Sequence, residues 1–215
     1  MARRVITVAR TVGAGGEETG SMIAKELGFR YADDEIISEA AERAGVSREA
    51  VEKVEQSPGL IARILDTMAS VPLDPQVYYG QALAMPVAPG VRSGGYDELI
   101  QKVIIETANR GDVVIVAHGA GICLRGTPGV LRVLVTAPAE LRAKRLAAGD
   151  MDEKTAAKTV ENSDKERRDF LRRFYQVNEE SPAHYDLVVN TDVLTVDQAA
   201  DVIAGLARSL QRLGA

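Results

Sequence analysis

A β-branched run, Val5-Ile6-Thr7-Val8-Ala9, leads through Arg10-Thr11-Val12 into Gly13-Ala14-Gly15-Gly16-Glu17-Glu18-Thr19-Gly20 and then into Ser21 to Leu27, which has helical composition. The order is strand, tight loop, helix. Glycines let the backbone take positive φ and approach a ligand closely, so several amides converge at a helix N-terminus, where the dipole also favours negative charge. The chemistry this predicts is anion binding, with a phosphate as the natural guest. The pattern departs from G-x-x-x-x-G-K-[ST], whose lysine reaches the β- and γ-phosphates and whose hydroxyl reaches magnesium. With Gly15 and Gly20 as the two glycines, Ser21 and Met22 fill the last two places; aligned backwards from Ala24 and Leu27, Gly16 stands at the lysine and Glu17 follows it. The plainer alternative is a corner whose glycines only permit close packing.

Three further groups could do chemistry. Asp33 follows the short run Phe29-Arg30-Tyr31-Ala32, and His118 follows Val113-Val114-Ile115-Val116-Ala117. In an open parallel sheet, ligands gather at the carboxyl ends of strands, which is where both residues fall. The alternatives are that Asp33 or Asp34 caps the next helix, Asp34 being preferred for that role, and that His118 is structural. The third group is the charged stretch Leu141 to Tyr175, where Arg142, Arg145, Arg167, Arg168, Arg172 and Arg173 are mixed with Asp152, Asp164 and Asp169. Most such charges are solvated helix faces; a minority can hold a transferred phosphoryl group, to which guanidinium forks are suited.

The elements that must position these groups alternate strand and helix. A helix over Glu35 to Ala44 buries Ile36, Ile37, Ala40 and Ala41, and Ser47 opens another that stops before Pro58. Leu60 to Ala69 reads as a further helix, and Pro72 to Gly95 reads as irregular and mobile, which makes residues 46–95 an insert on the core sheet. Asp97 begins a patterned helix ended by Gly111, and Val130 to Val135 and Tyr185 to Asn190 complete five strands. Thr195-Val196-Asp197-Gln198 is a capping-box pattern opening a last helix whose Val202, Ile203, Leu206 and Leu210 are expected to face inward. The fold class is α/β, with helices on both faces of a parallel sheet.

Composition narrows the partners. The chain has 215 residues, 46% of them apolar, and fits one domain with a core of its own. Acidic residues (31) outnumber basic ones (26), for a net charge of −5 that argues against nucleic acid as partner. The single cysteine, Cys123, excludes an intramolecular disulfide and fits a reducing compartment. Met1 leads straight into the first strand and no apolar run approaches a membrane span, so a cytoplasmic protein without a membrane partner is expected. The sequence leaves a homo-oligomer open.

The residues Ala9-Arg10 through Gly13-Ala14-Gly15-Gly16, Thr19-Gly20, Tyr31-Ala32-Asp33, Val114 to Ala120, Ala137-Pro138 with Arg142, Asp164-x-x-Arg167 and Tyr185 to Thr191 resemble the cytidylate kinase-like family, a divergent branch of the nucleoside monophosphate kinases. The resemblance covers nearly the whole chain outside the insert. It implies a P-loop NTPase-type three-layer sandwich with a five-stranded parallel sheet, an acceptor-binding insert near 34–95 and a helical lid near 146–175. It implies ATP and Mg²⁺, with the nucleotide over Arg10, Gly13, Ala14, Gly15, Gly16, Glu17, Glu18 and Thr19. It implies a CMP-like or related small acceptor at Asp33 and His118, and phosphate-clamping arginines at Arg142, Arg145, Arg167 and Arg168. Two departures stand out: His118 is where relatives usually carry an arginine, and Gly16 or Ser21 is where ordinary kinases carry lysine. A catalytically weak nucleotide-binding regulator that keeps the kinase fold is the alternative.

Overall fold

In the computed structural model, residues 4–44, 95–149 and 151–212 are described. The helices expected between Ser47 and Ala69 and the irregular run beyond them lie outside the described residues. The chain divides into two compact units, residues 1–33 with 104–215, and residues 34–103.

The first unit holds the whole sheet. Strands β1 (Val5–Arg10), β2 (Arg30–Ala32), β3 (Val113–Val116), β4 (Val130–Thr136) and β5 (Leu187–Asn190) lie in the order β2-β3-β1-β4-β5. Every pair is parallel, with Val5 opposite both Val113 and Val130. The continuous apolar runs of β1 and β3 suit strands covered on both faces, and all four residues of β3 are buried. Strand β4 alternates between buried and partly buried positions.

One face of the sheet carries α1 (Gly16–Leu27) and the last helix, α7 (Val196–Arg212), as Ile23, Ala24, Ala199, Ala200 and Ile203 join Ile6, Val8, Val114, Val116, Val133 and Val135 in one core. Gly20 lets α1 approach β3, since a Cβ there would lie 2.7 Å from Val116 Cγ2. The cap expected at Thr195 forms in both directions: Thr195 N donates to Gln198 Oε1 (3.0 Å) and Gln198 N to Thr195 Oγ1 (3.2 Å). Val202 does not face inward as expected; it is 48% exposed. It sits about 100° around the helix from Ile203, and the inward stripe is made instead by small residues, Ala199, Ala200, Ala204 and Ala207, that let α7 lie close to its neighbours.

The charged stretch, expected to be helical, forms two helices, α5 (Ala139–Ala147) and α6 (Glu153–Tyr175). Asp152 starts the second by accepting from Thr155 N at 3.0 Å. A short α4 (Ala120–Cys123) follows β3. Among the described residues no helix is long and apolar enough to cross a membrane.

In the second unit α2 (Asp34–Ala44) buries Ile36, Ile37, Ala40 and Ala41, the stripe its spacing predicts. It begins at Asp34, one residue before the expected start, so Asp33 rather than Asp34 precedes the first turn. Helix α3 (Gly95–Arg110) runs from this unit into the first and buries Ile100, Val103, Ile104 and Ala108.

Candidate active site

The glycine loop is built so that its carbonyls are occupied while the first-turn amides of the helix that follows are left without a helical acceptor. Gly13 (φ 77°) and Gly15 (φ 78°) are left-handed, and this alternation turns successive peptide groups in opposite senses. The Val12 carbonyl accepts from Arg142 (3.3 Å), that of Gly13 from Arg145 (3.3 Å), and that of Ala14 from Thr191 Oγ1 (2.9 Å). The Gly15 carbonyl takes both the Thr19 hydroxyl (2.7 Å) and the Thr19 amide (3.0 Å). The first-turn amides of α1, on Gly16, Glu17 and Glu18, have no helical acceptor. Their dipoles and the helix end point the same way, which is the electrostatics of an anion site.

Arg10, at the carboxyl end of β1, lies across Gly16. A Cβ on Gly16 would come within 2.5 Å of Arg10 Cβ, so arginine stem fills the space where a side chain at position 16 would begin. The Arg10 guanidinium pairs with Glu17, while its Nε is buried without a hydrogen-bond partner. Glu17 and Glu18 at the helix start are thus unequal, since Glu17 has a cation of its own.

The carboxyl ends of β2 and β3 bring Asp33 and His118 together. His118 Nε2 lies 3.1 Å from Asp33 Oδ1 and 3.2 Å from the Asp33 carbonyl, and the Tyr31 hydroxyl approaches Asp33 Oδ2 at 3.4 Å. Burial works to raise the Asp33 pKa, yet the His118 hydrogen bond and charge, with Arg10 behind them, hold it below the usual carboxylate range. Burial, then the charges of Asp33 and Glu17, push the Tyr31 hydroxyl up to about 12. Arg10, Glu17, Tyr31, Asp33 and His118 therefore form one electrostatic cluster. The turn that carries His118 is strained: Ala117 (φ 64°) and His118 (φ 52°) are both left-handed, a conformation that costs an L-residue about 1–2 kcal/mol.

The arginines of α5 and α6 lie behind the loop or away from it. Arg142 is 4% exposed; Nε donates to the Ala137 carbonyl (2.8 Å) and its fork grips Asp164 at 3.0 and 2.7 Å. Arg145 donates to the Thr191 hydroxyl (2.9 Å) and carbonyl (2.5 Å) as well as to Gly13. Arg167 forks onto Glu180 at 2.8 and 2.6 Å, and the Tyr185 hydroxyl joins both. Burial, the largest single influence, would raise the Glu180 carboxyl, but the hydrogen bond and charge of Arg167, with the Tyr185 hydroxyl, together keep the group below its ordinary value. Arg168 is exposed. Among the described residues no three His, Cys, Asp or Glu gather as metal ligands. Cys123 is half-buried, and burial pushes its thiol up to about 11, far from a reactive thiolate.

Thr191 and Asp164 stand among the residues of the resemblance but, like Tyr175 and Glu180, receive no site role from the sequence; Thr191 is fully buried and the only hydroxyl holding the Ala14 carbonyl among the described residues. Thr191 carries a signal in hindsight: a buried threonine directly after an edge strand needs a partner for its hydroxyl. The pairing of Arg142 and Arg167 could not be read in advance, because Asp164 reaches Arg142 through the meeting of α5 and α6, and Glu180 reaches Arg167 through the path of the chain beyond α6.

A family model described as cytidylate kinase-like matches residues 5–193. The chain belongs to the cytidylate kinase-like family. A cytidylate kinase of Ignicoccus hospitalis is 25% identical over 201 residues, covering 93% of this chain and 96% of its own. An uncharacterized protein from Eubacterium ventriosum superposes with a TM-score of 0.64 at 18% identity over 96% of this chain and 99% of its own. A shikimate kinase from Bacteroides thetaiotaomicron does so with a TM-score of 0.52 at 14% identity over the same shares. At these identities the solved structures speak for the fold, a P-loop-type kinase sandwich. The family match reaches from the glycine loop through Thr191, so the residues that tie back the loop carbonyls lie inside it.

Proposed function

We propose that this chain is an ATP-dependent phosphotransferase that acts on a small acceptor, with a CMP-like nucleoside monophosphate as the first to be tried. The observation that carries the reading is the loop itself: the carbonyls of Val12, Gly13, Ala14 and Gly15 are all engaged, which leaves the helix-end amides to an anion. The residues fit a triphosphate tail on that ground, and ATP would supply the transferable phosphoryl group. Arg10 takes the part of the missing lysine: it rises from a β-strand beside the loop, crosses Gly16 and has a buried Nε still to be satisfied. Glu17, in the first turn of α1, is the carboxylate at the loop that would join phosphate and water in holding Mg²⁺.

Arg142 and Arg145 hold the loop in shape from behind, so the amides are preorganised before ligand arrives. Asp33, kept ionised by His118, orients the acceptor. Residues 34–95 serve as the acceptor-binding part and residues 146–175 as the lid, with Arg167 and Arg168 on its second helix. Phosphoryl transfer of this kind needs positioning and charge neutralisation and no covalent intermediate.

One observation favours a second reading, a nucleotide-binding regulator without turnover. Arg142 and Arg167, two cations expected to neutralise the transferred group, are each already forked onto a carboxylate. Purified protein given Mg-ATP with CMP or UMP is expected to release ADP above the ATP-only background. ATP binding by calorimetry without any such release selects the regulator, and failure to bind ATP at all removes both readings.

A further inference from the structure

The strained turn after β3 is held from two sides. On one side, His118 Nε2 meets the carboxylate and the carbonyl of Asp33 at 3.1 and 3.2 Å; both oxygens can only accept, so Nε2 carries a hydrogen and donates it. On the other side, the Tyr175 hydroxyl donates to the His118 carbonyl at 2.8 Å. The Tyr175 ring covers Gly119, where a Cβ would stand 2.2 Å from Cε2, and Gly119 itself is left-handed at φ 67°. Ala117, His118 and Gly119 are thus three successive left-handed residues. An alanine and a histidine keep that conformation only where their surroundings over-determine it.

Tyr175 is the last residue of α6, and its ring is fixed in turn: it meets Phe170 edge-on at 5.8 Å between centroids, and Phe170 meets Phe174 at 4.5 Å. One helical end therefore holds the backbone of the residue whose ring holds Asp33.

We infer that Tyr175 is a positioning residue for Asp33, acting through the left-handed turn at 117–119, so that the acceptor carboxylate is correctly set only while the end of α6 is docked on that turn. This rests on the kinase reading for its consequence in catalysis, and on the geometry alone for the linkage itself. Asp33 also faces the Tyr31 hydroxyl and the charge of Arg10, so the linkage is one of three holds on its carboxylate, and it is the one that reaches Asp33 from the turn.

The test uses the two histidines of the chain, His118 and His184, as separate reporters in an NMR pH titration of the full-length protein. A carboxylate partner favours the charged imidazole, so D33N is expected to lower the His118 midpoint. Y175F, which keeps the ring and removes only the hydroxyl, is expected to lower it in the same direction. G119A, which forces the ring away, is expected to do likewise by an independent route. His184, whose Nδ1 accepts from Ser181 N at 3.1 Å, serves as the control. A His118 midpoint in Y175F equal to that of the unaltered protein overturns the linkage. In the phosphoryl-transfer assay Y175F is expected to lower kcat on the order of tenfold or more with Mg-ATP affinity by calorimetry unchanged. An unaltered protein without transfer activity would sink the kinase reading while the His118 titration still decides this one.

Discussion

The two sides of the glycine loop are served by arginines of opposite character. Behind it, Arg142 is 4% exposed, and its donors go to Ala137, Val12 and both oxygens of Asp164. In front, Arg10 spans Gly16, pairs with Glu17 and keeps a buried Nε with no partner. A guanidinium with all three nitrogens bonded to fixed backbone and carboxylate oxygens serves as a strut. One with an unmet donor beside a row of unmet amides is arranged to receive an anion. The difference teaches that neither the residue type nor nearness to the loop assigns the role; the count of unsatisfied donors does.

The comparison is tested most severely by R142A. It strips Asp164 of its partner and releases the Val12 carbonyl, and breaking a buried ion pair from one side costs about 3 kcal/mol. The expected result is a fall of that order in unfolding free energy by urea titration, with ATP binding weakened as the loop loosens. A fully stable R142A that is dead only in turnover would reverse the roles assigned to the two sides.

R10A is the mirror case. It is expected to leave the urea midpoint nearly unchanged while weakening Mg-ATP by about 1.5–3 kcal/mol, the worth of a charge-assisted hydrogen bond. Calorimetry would read this as roughly 10- to 100-fold in Kd. G16A sharpens the same point sterically. Its Cβ would meet Arg10 Cβ at 2.5 Å, and overpacking of this kind costs about 1–3 kcal/mol. Adding R10G to G16A removes the clashing Cβ that R10A would keep and is expected to restore much of that loss, and a double-mutant cycle showing simple additivity would separate Arg10 from Gly16.

A pH experiment probes the strut formed by Arg167 and Glu180. The Glu180 pKa is lowered in the folded state by Arg167, against the opposing effect of burial. Its contribution is therefore present above the unfolded glutamate value of about 4.3 and is lost as pH falls through the lower folded value. Stability of the unaltered protein is expected to drop across that acid window, and E180Q is expected to flatten the drop. The smallest effect belongs to R168A. Arg168 is exposed on α6, so the unfolding midpoint should move by less than about 0.5 kcal/mol, while turnover falls with the loss of a lid cation.

Much of the fold was legible because it is written in short-range preferences. The apolar runs of β1 and β3, the stripe of α2 and the reciprocal cap at Thr195 and Gln198 each depend on residues a few positions apart, and they form as their spacing predicts. Val202 was misread because an apolar residue at the margin of a stripe is decided by what packs opposite, and small alanines there left it outside. Asp33 and His118 could be placed at strand ends, and the strand order then set them 3.1 Å apart.

The sequence by itself determined where strands, glycine turn and helices fall, since φ preference, side-chain branching and apolar period act within a few residues. It also determined that no lysine stands in either register of the loop. Only the tertiary structure decided that Arg10 lies over Gly16, that Arg142 belongs to Asp164 and Thr191 to Ala14, and that Tyr175 grips the turn beneath His118. Those choices join residues between 6 and 177 positions apart. They are settled by which donors and acceptors become buried together, where leaving either one unmet costs more than bending the chain to pair them.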